Sequence, residues 1–190
     1  GAGEVDGFAE SLDKTITEIE ATQARGGALD GITTGFTRLD SMLSGLRKGQ
    51  YVILGGRPSI GKTTFLVNVA LHNLTHDRRV AFFSLEMGAQ EINALLLARR
   101  SGISIKAMLS GKMGGGEIGK VKEAREALIG FPLFLDDSPA LTVGEIGARA
   151  LKFKADLVIV DHLDLAETGE KFTNDYTYYY YQFIAAYYCP

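Results

Sequence analysis

The sequence predicts an α/β protein built on a doubly wound, mostly parallel sheet with helices on both faces. Three observations carry that expectation. Short apolar runs alternate with stretches of helical periodicity; one run, Leu157-Val-Ile-Val160, is apolar at every position; and another, Tyr51-Val-Ile-Leu54, leads straight into a glycine-containing turn and a helix. Alternation of strand and helix produces parallel crossover units. A strand with no polar face is covered on both sides, the usual condition of a parallel strand. With 190 residues, 46% of them hydrophobic, the chain can fill one such domain and a short appendage.

In chain order, residues 5–24 predict an amphipathic helix. Val5, Phe8, Leu12, Ile16 and Ile19 lie among Asp13, Lys14, Glu18 and Glu20, within an arc of about 80° at ~100° per residue. Gly26-Gly27 ends it and marks a hinge. Gly31-Ile-Thr-Thr-Gly35 opens the next segment, followed by a short helix through Leu39, Met42 and Leu43 that Gly45 closes. After the strand Tyr51–Leu54 comes a helix from Lys62 to about Leu74. The strand Val80-Ala-Phe-Phe-Ser84 precedes a helix over roughly 89–100. Residues 103–129 read as helix in pieces, broken by a mobile loop at Gly114-Gly-Gly116. Leu133-Phe-Leu135 is a strand. Thr142 and Glu145 form a capping box for a helix to about Phe153 that leads into Leu157–Val160. Seven of the eight tyrosines follow residue 175, and no period explains them, so the tail is assigned no function.

The chemistry sits at strand ends. Gly56-Arg57-Pro58-Ser59-Ile60-Gly61-Lys62-Thr63 satisfies the G-x-x-x-x-G-K-[ST] pattern between a strand and a helix, with Thr64 beside it. In such a loop successive backbone N–H groups point at phosphate oxygens, and the new helix adds its positive end. Lys62 then places a cation at the β/γ-phosphates, and the Thr63 hydroxyl ligates Mg²⁺. The nucleotide is expected to be ATP or a related triphosphate. Asp161 closes the apolar strand, the place of an acidic group that faces the metal and its water. Glu86 ends the strand through Leu85. From position alone it is either a general base for the attacking water or a glutamate favoured at a helix N-terminus.

Several separated strings, in order, resemble the DnaB-type replicative DNA helicases, a family of RecA-like P-loop ATPases. They are Gly31-Ile-Thr-Thr-Gly-Phe-Thr-Arg-Leu-Asp40, Arg57-Pro-Ser-Ile-Gly-Lys-Thr63, Phe83-Ser-Leu-Glu-Met87, Leu135-Asp-Asp-Ser138 and Asp161-His-Leu-Asp-Leu165. The likeness covers about residues 10–165. It implies an ATP-hydrolysing motor that translocates on single-stranded DNA, with Glu86 as the catalytic glutamate. It further implies a hexameric ring in which the linker helix docks on a neighbouring subunit, and contacts with primase and a helicase loader. On this reading residues 1–27 are linker helix and hinge, and residues 28–190 are a RecA-like ATPase domain that is incomplete at its C-terminal side. An arginine finger and DNA-contacting loops are expected elsewhere. Two positions depart from the family's habit: Asp164 stands where a glutamine is common, and His162 where a tyrosine is frequent. A RecA-like recombinase or clock-type ATPase, and a nucleotide-dependent assembly module, remain as alternatives.

Other groups carry less. His72 and His76 share a helix face but lack an evident third ligand, so they read as surface histidines. Asp136-Asp137 read as loop residues before a capped helix, and Arg78-Arg79 and Arg99-Arg100 as solvated faces. A net charge of −3 and a pI near 5.7 exclude an overall basic surface, so DNA contact would need a local patch or an assembled channel. One cysteine, Cys189, excludes an intramolecular disulfide framework. With no secretory signal and no membrane-length apolar run, the expectation is cytoplasmic and not membrane-bound.

Overall fold

A computed structural model describes residues 7–24, 31–47, 49–57 and 59–162, and the backbone of 180–186. The element order is α1 (Phe8–Ala24), α2 (Thr37–Leu43), β1 (Tyr51–Gly56), α3 (Lys62–Leu74), β2 (Val80–Ser84) and α4 (Ala89–Ser101). Then come α5 (Ile105–Leu109), α6 (Glu117–Ile129), β3 (Leu133–Asp136), α7 (Val143–Phe153), β4 (Leu157–Asp161) and β5 (Tyr180–Ala186). Val5 and the Gly26-Gly27 hinge lie outside the described residues.

The sheet order is β1-β5-β4-β2-β3. β2 runs parallel to both β3 and β4, with Val80 opposite Leu133 on one side and Leu157 on the other. β5 is antiparallel to β1 and to β4, so β1–β4 all point the same way and only β5 is reversed. The four strands expected from the sequence therefore form as expected. The tyrosine-rich tail contributes a fifth, where no element was assigned. Its backbone occupies the slot between β1 and β4, where it supplies ladder partners to both.

Period-two alternation explains the core. On one face Val80 and Phe82 of β2, with Leu157 and Ile159 of β4, pack with Leu66, Val69, Ala70 and Leu74 of α3 and Ile92 and Leu96 of α4. On the other face Ala81, Phe83, Val158 and Val160 pack with Ile146 and Ala150 of α7. β2 and β4 are buried at every position, the polar Ser84 and Asp161 at their ends included. β1 differs: Val52 and Leu54 pack on the first core, while Tyr51 and Ile53 are exposed.

Side chains fix the turns between elements. Buried Asp40 accepts hydrogen bonds from the Thr34 amide and hydroxyl (2.6 and 2.7 Å) and from the Gly35 amide (3.2 Å), folding the segment before β1 onto α2. The α7 capping box forms: the Glu145 carboxylate accepts from the Thr142 amide at 2.9 Å, and the Thr142 hydroxyl accepts from the Glu145 amide at 3.2 Å. The Thr142 donors hold the Glu145 carboxyl below its ordinary value. The break expected at Gly114–Gly116 separates α5 from α6. No residue of α1 is buried.

Candidate nucleotide-binding site

Because β1, β2 and β4 run in one direction, their carboxyl ends share one edge of the sheet, the edge where open α/β sheets bind ligands. At the end of β1 the chain turns through Arg57, Ser59 and Ile60 into Gly61, the N-cap of α3. Ser59 has φ 63° and Gly61 φ 97°, so the loop curls in left-handed backbone before the helix begins at Lys62. Arg57, Ser59, Ile60, Gly61 and Thr64 are exposed, leaving the loop open to a ligand. Pro58 lies outside the described residues. The Lys62 ammonium donates to the Gly56 carbonyl at 2.9 Å, so the cation folds back over the loop that precedes it.

The Thr63 hydroxyl donates to Asp161 Oδ2 at 2.7 Å, linking the first turn of α3 to the end of β4 across 98 residues. A hydroxyl and a carboxylate are hard oxygen donors. Two such oxygens side by side match the hard donor set that Mg²⁺ takes, so the residues present fit that ion. Asp161 is fully buried, 0% exposed, which the all-apolar strand ahead of it explains. Its carbonyl accepts from the Leu85 amide at 2.6 Å, extending the β2–β4 register by one residue and carrying Glu86 to the same edge. The peptide Asp161-His162 is cis. His162 Nδ1 lies 3.0 Å from Glu86 Oε2. One ligand atom each from Glu86, Asp161 and His162 fall within 4.8 Å of one another. The structure therefore brings Lys62, Thr63, Asp161 and Glu86 together. It adds His162, which the sequence marked only as an unusual neighbour of Asp161.

The remaining candidates have structural work. His72 is half-buried rather than a surface residue, with Nε2 2.8 Å from the Thr33 hydroxyl. Burial and then neighbouring His76 lower its pKa, against the opposing pull of Asp40. His76 Nδ1 lies 2.7 Å from the His72 carbonyl and so donates to it. Asp136 is not a loop residue: it ends β3, is buried and pairs with Arg149 of α7. Burial pushes its carboxyl up, but the Ser138 hydroxyl and amide and the Arg149 guanidinium reverse this and leave it below the ordinary value. Asp137 accepts from the Ala89 amide at 2.8 Å, at the start of α4. Arg79 lies 4.6 Å over the Phe153 ring and donates to the Phe153 carbonyl, so it is tied to the end of α7 rather than merely solvated. Arg78, Arg99 and Arg100 are exposed, as expected.

Comparison with known proteins places this geometry. The profile of the DnaB-like helicase C-terminal domain matches residues 31–177. The chain belongs to that family. It is 34% identical over 179 residues to the replicative DNA helicase DnaB of Leifsonia xyli subsp. xyli (strain CTCB07), covering 90% of this chain and 39% of the relative. Against the DnaB helicase of Geobacillus stearothermophilus it is 33% identical, covering 87% and 38%. A solved DnaB-like replicative helicase, described with its interactions with primase, superposes with a TM-score of 0.73 at 28% identity, over 92% of this chain and 43% of that one. A solved ATPase domain also superposes with a TM-score of 0.73, at 26% identity over 90% and 62%. The chain thus spans about two fifths of the length of these curated relatives.

Proposed function

We propose that the chain is the ATP-hydrolysing motor domain of a ring-shaped replicative helicase that unwinds duplex DNA by translocating on single strands. The observation that carries this reading is the convergence of Lys62, Thr63, Asp161 and Glu86 on one sheet edge, from three separate strand ends. Triphosphate binds with its β- and γ-phosphates against the 56–64 loop. Lys62 exchanges the Gly56 carbonyl for phosphate oxygens, and the loop amides and the N-terminal end of α3 stabilise the transferred charge. Thr63 and Asp161 would hold Mg²⁺, which would neutralise charge on the phosphate oxygens. Glu86 accepts a proton from the water that attacks the γ-phosphate in line; the P–O bond to ADP breaks as the water's P–O bond forms.

Glu86→Gln tests this reading. In a single-turnover experiment with excess protein, the variant should bind MgATP as the parent does while hydrolysis slows by about 10²–10⁴-fold, the usual worth of a positioned base. Equal rates would leave Glu86 structural and would support a nucleotide-dependent assembly module instead.

The exposed stripe of α1 supports the ring. Phe8, Leu12, Ile16 and Ile19 are 80%, 46%, 53% and 61% exposed, so the apolar stripe does not cover its own domain. A helix of this kind suits a heterologous contact with the next subunit, which closes into a ring, here a hexamer. The double variant Phe8→Asp with Leu12→Asp should sediment as a monomer with unchanged helical content. A parent chain that is itself monomeric, or a variant that stays assembled, refutes the docking role. DNA contact then belongs to the assembled channel, since the net charge of −3 gives no broad basic face. Primase and a helicase loader are the proposed partners, the first supported by the primase interaction of a solved relative. No helix among the described residues is long and apolar enough to cross a membrane, and the proposed location is the cytoplasm.

A further inference from the structure

We propose that His162 is a positioning residue for Glu86, acting through its Nδ1–H; this rests on the reading of Glu86 as the base for the attacking water. The two residues differ in exposure. The His162 side chain is 3% exposed, whereas that of Glu86 is 57% exposed and stands beyond the end of β2. A glutamate in solvent spreads over many rotamers, each of which misplaces a base. It also lies beside a like charge, because its carboxylate is within 4.8 Å of that of Asp161. Repulsion between two carboxylates favours rotamers that swing Glu86 outward. Something must hold it in. The 3.0 Å contact from a buried imidazole does so, and does it on the side of Asp161 and Thr63, where the phosphates and their water belong.

The contact also fixes the proton. An ionised carboxylate only accepts, so Nδ1 must donate, which defines the tautomer required of neutral His162. With Oε2 engaged, Oε1 of Glu86 is the oxygen that takes the water proton. Geometry then selects which amide can replace the imidazole. An asparagine carries its Nδ2 where histidine carries Nδ1, whereas a glutamine carries its nitrogen one bond further out and corresponds to Nε2. A role that depends on the Nδ1–H is therefore rescued by His162→Asn and not by His162→Gln.

Single-turnover hydrolysis by the parent chain, His162→Phe, His162→Asn, His162→Gln, Glu86→Gln and the double variant His162→Phe with Glu86→Gln tests the proposal, alongside the Kd for MgATP. His162→Phe should slow hydrolysis by about 10–100-fold, the usual cost of removing an orienting partner, with an unchanged Kd. Asparagine should restore most of the rate and glutamine should not. On the Glu86→Gln background the phenylalanine should cost almost nothing further, because both changes disable one unit. An unchanged or faster His162→Phe beside a crippled Glu86→Gln overturns the positioning role and leaves the base intact. An unimpaired Glu86→Gln overturns the base, and the positioning role with it. If His162→Phe does not fold, the asparagine and glutamine pair decides. If turnover of the parent is too slow to follow, histidine ¹⁵N NMR decides: the Nδ1–H tautomer of His162 must be present in the parent and lost in Glu86→Ala. A parent with the Nε2–H tautomer overturns the proposal.

Discussion

The two halves of the proposed site are built by different means. The phosphate half, residues 56–64, is one contiguous turn whose work falls largely to backbone amides and the start of α3, with one lysine folded over it. The metal and water half takes Glu86 from the end of β2, Asp161 and His162 from the end of β4, and the Thr63 hydroxyl from the first turn of α3. The register of Ser84 opposite Asp161 brings the two strand ends together. A turn depends on local φ and ψ, so it fails when backbone geometry is changed. A cluster of side chains at strand ends depends on the sheet, so it fails when its chemistry is changed and leaves the fold alone. The isosteric Glu86→Gln should accordingly cost rate and not thermal stability.

The largest expected effect breaks the phosphate half through its one side chain. Lys62→Ala removes the cation facing the β/γ-phosphates and should weaken ATP binding by at least about 100-fold, read by calorimetric titration. A variant that titrates like the parent would refute the assignment of the loop. The smaller effect sharpens the claim that backbone geometry governs this half. Gly61 sits at φ 97° with open space around a would-be Cβ, so Gly61→Ala is penalised by conformation alone. It should lose about 1–3 kcal/mol of stability, with a Tm drop of roughly 2–4 °C per kcal/mol. Gly56→Ala is limited instead by a side chain, since its Cβ would meet Ile60 Cδ1 at 2.4 Å. Ile60 is exposed and can rotate, so this change should cost less, and adding Ile60→Ala should remove the cost. Thermal melts that rank Gly56→Ala as the worse of the two would show that crowding, not φ, limits the loop.

The same division governs what could be read in advance. The loop, its helix and the Thr142–Glu145 cap are local patterns, and each lies where the residues placed it. Asp161 was legible because an acidic residue ends an all-apolar strand. His162 was visible only as an atypical neighbour of Asp161; its contact with Glu86 joins residues 76 apart and has no local signature. Asp136 was misread as a loop residue for a related reason. Its burial depends on Arg149, which α7 carries back over the end of β3. One available signal was the spacing of an acid at a strand end from a basic residue on the following helix.

By itself, the sequence determined the order of the elements from α1 to β4, the burial of the apolar run Leu157–Val160 and the turn that joins β1 to α3, because helix and strand periods and glycine-rich turns act over a few residues. The antiparallel entry of β5 between β1 and β4, the exposure of the α1 stripe, the half-burial of His72 and the union of Glu86 with His162 were decided only in three dimensions. Each depends on which distant segment occupies a neighbouring place. Such choices are made by backbone pairing across the sheet and by the competition of whole faces for burial, and no short window of residues contains both partners.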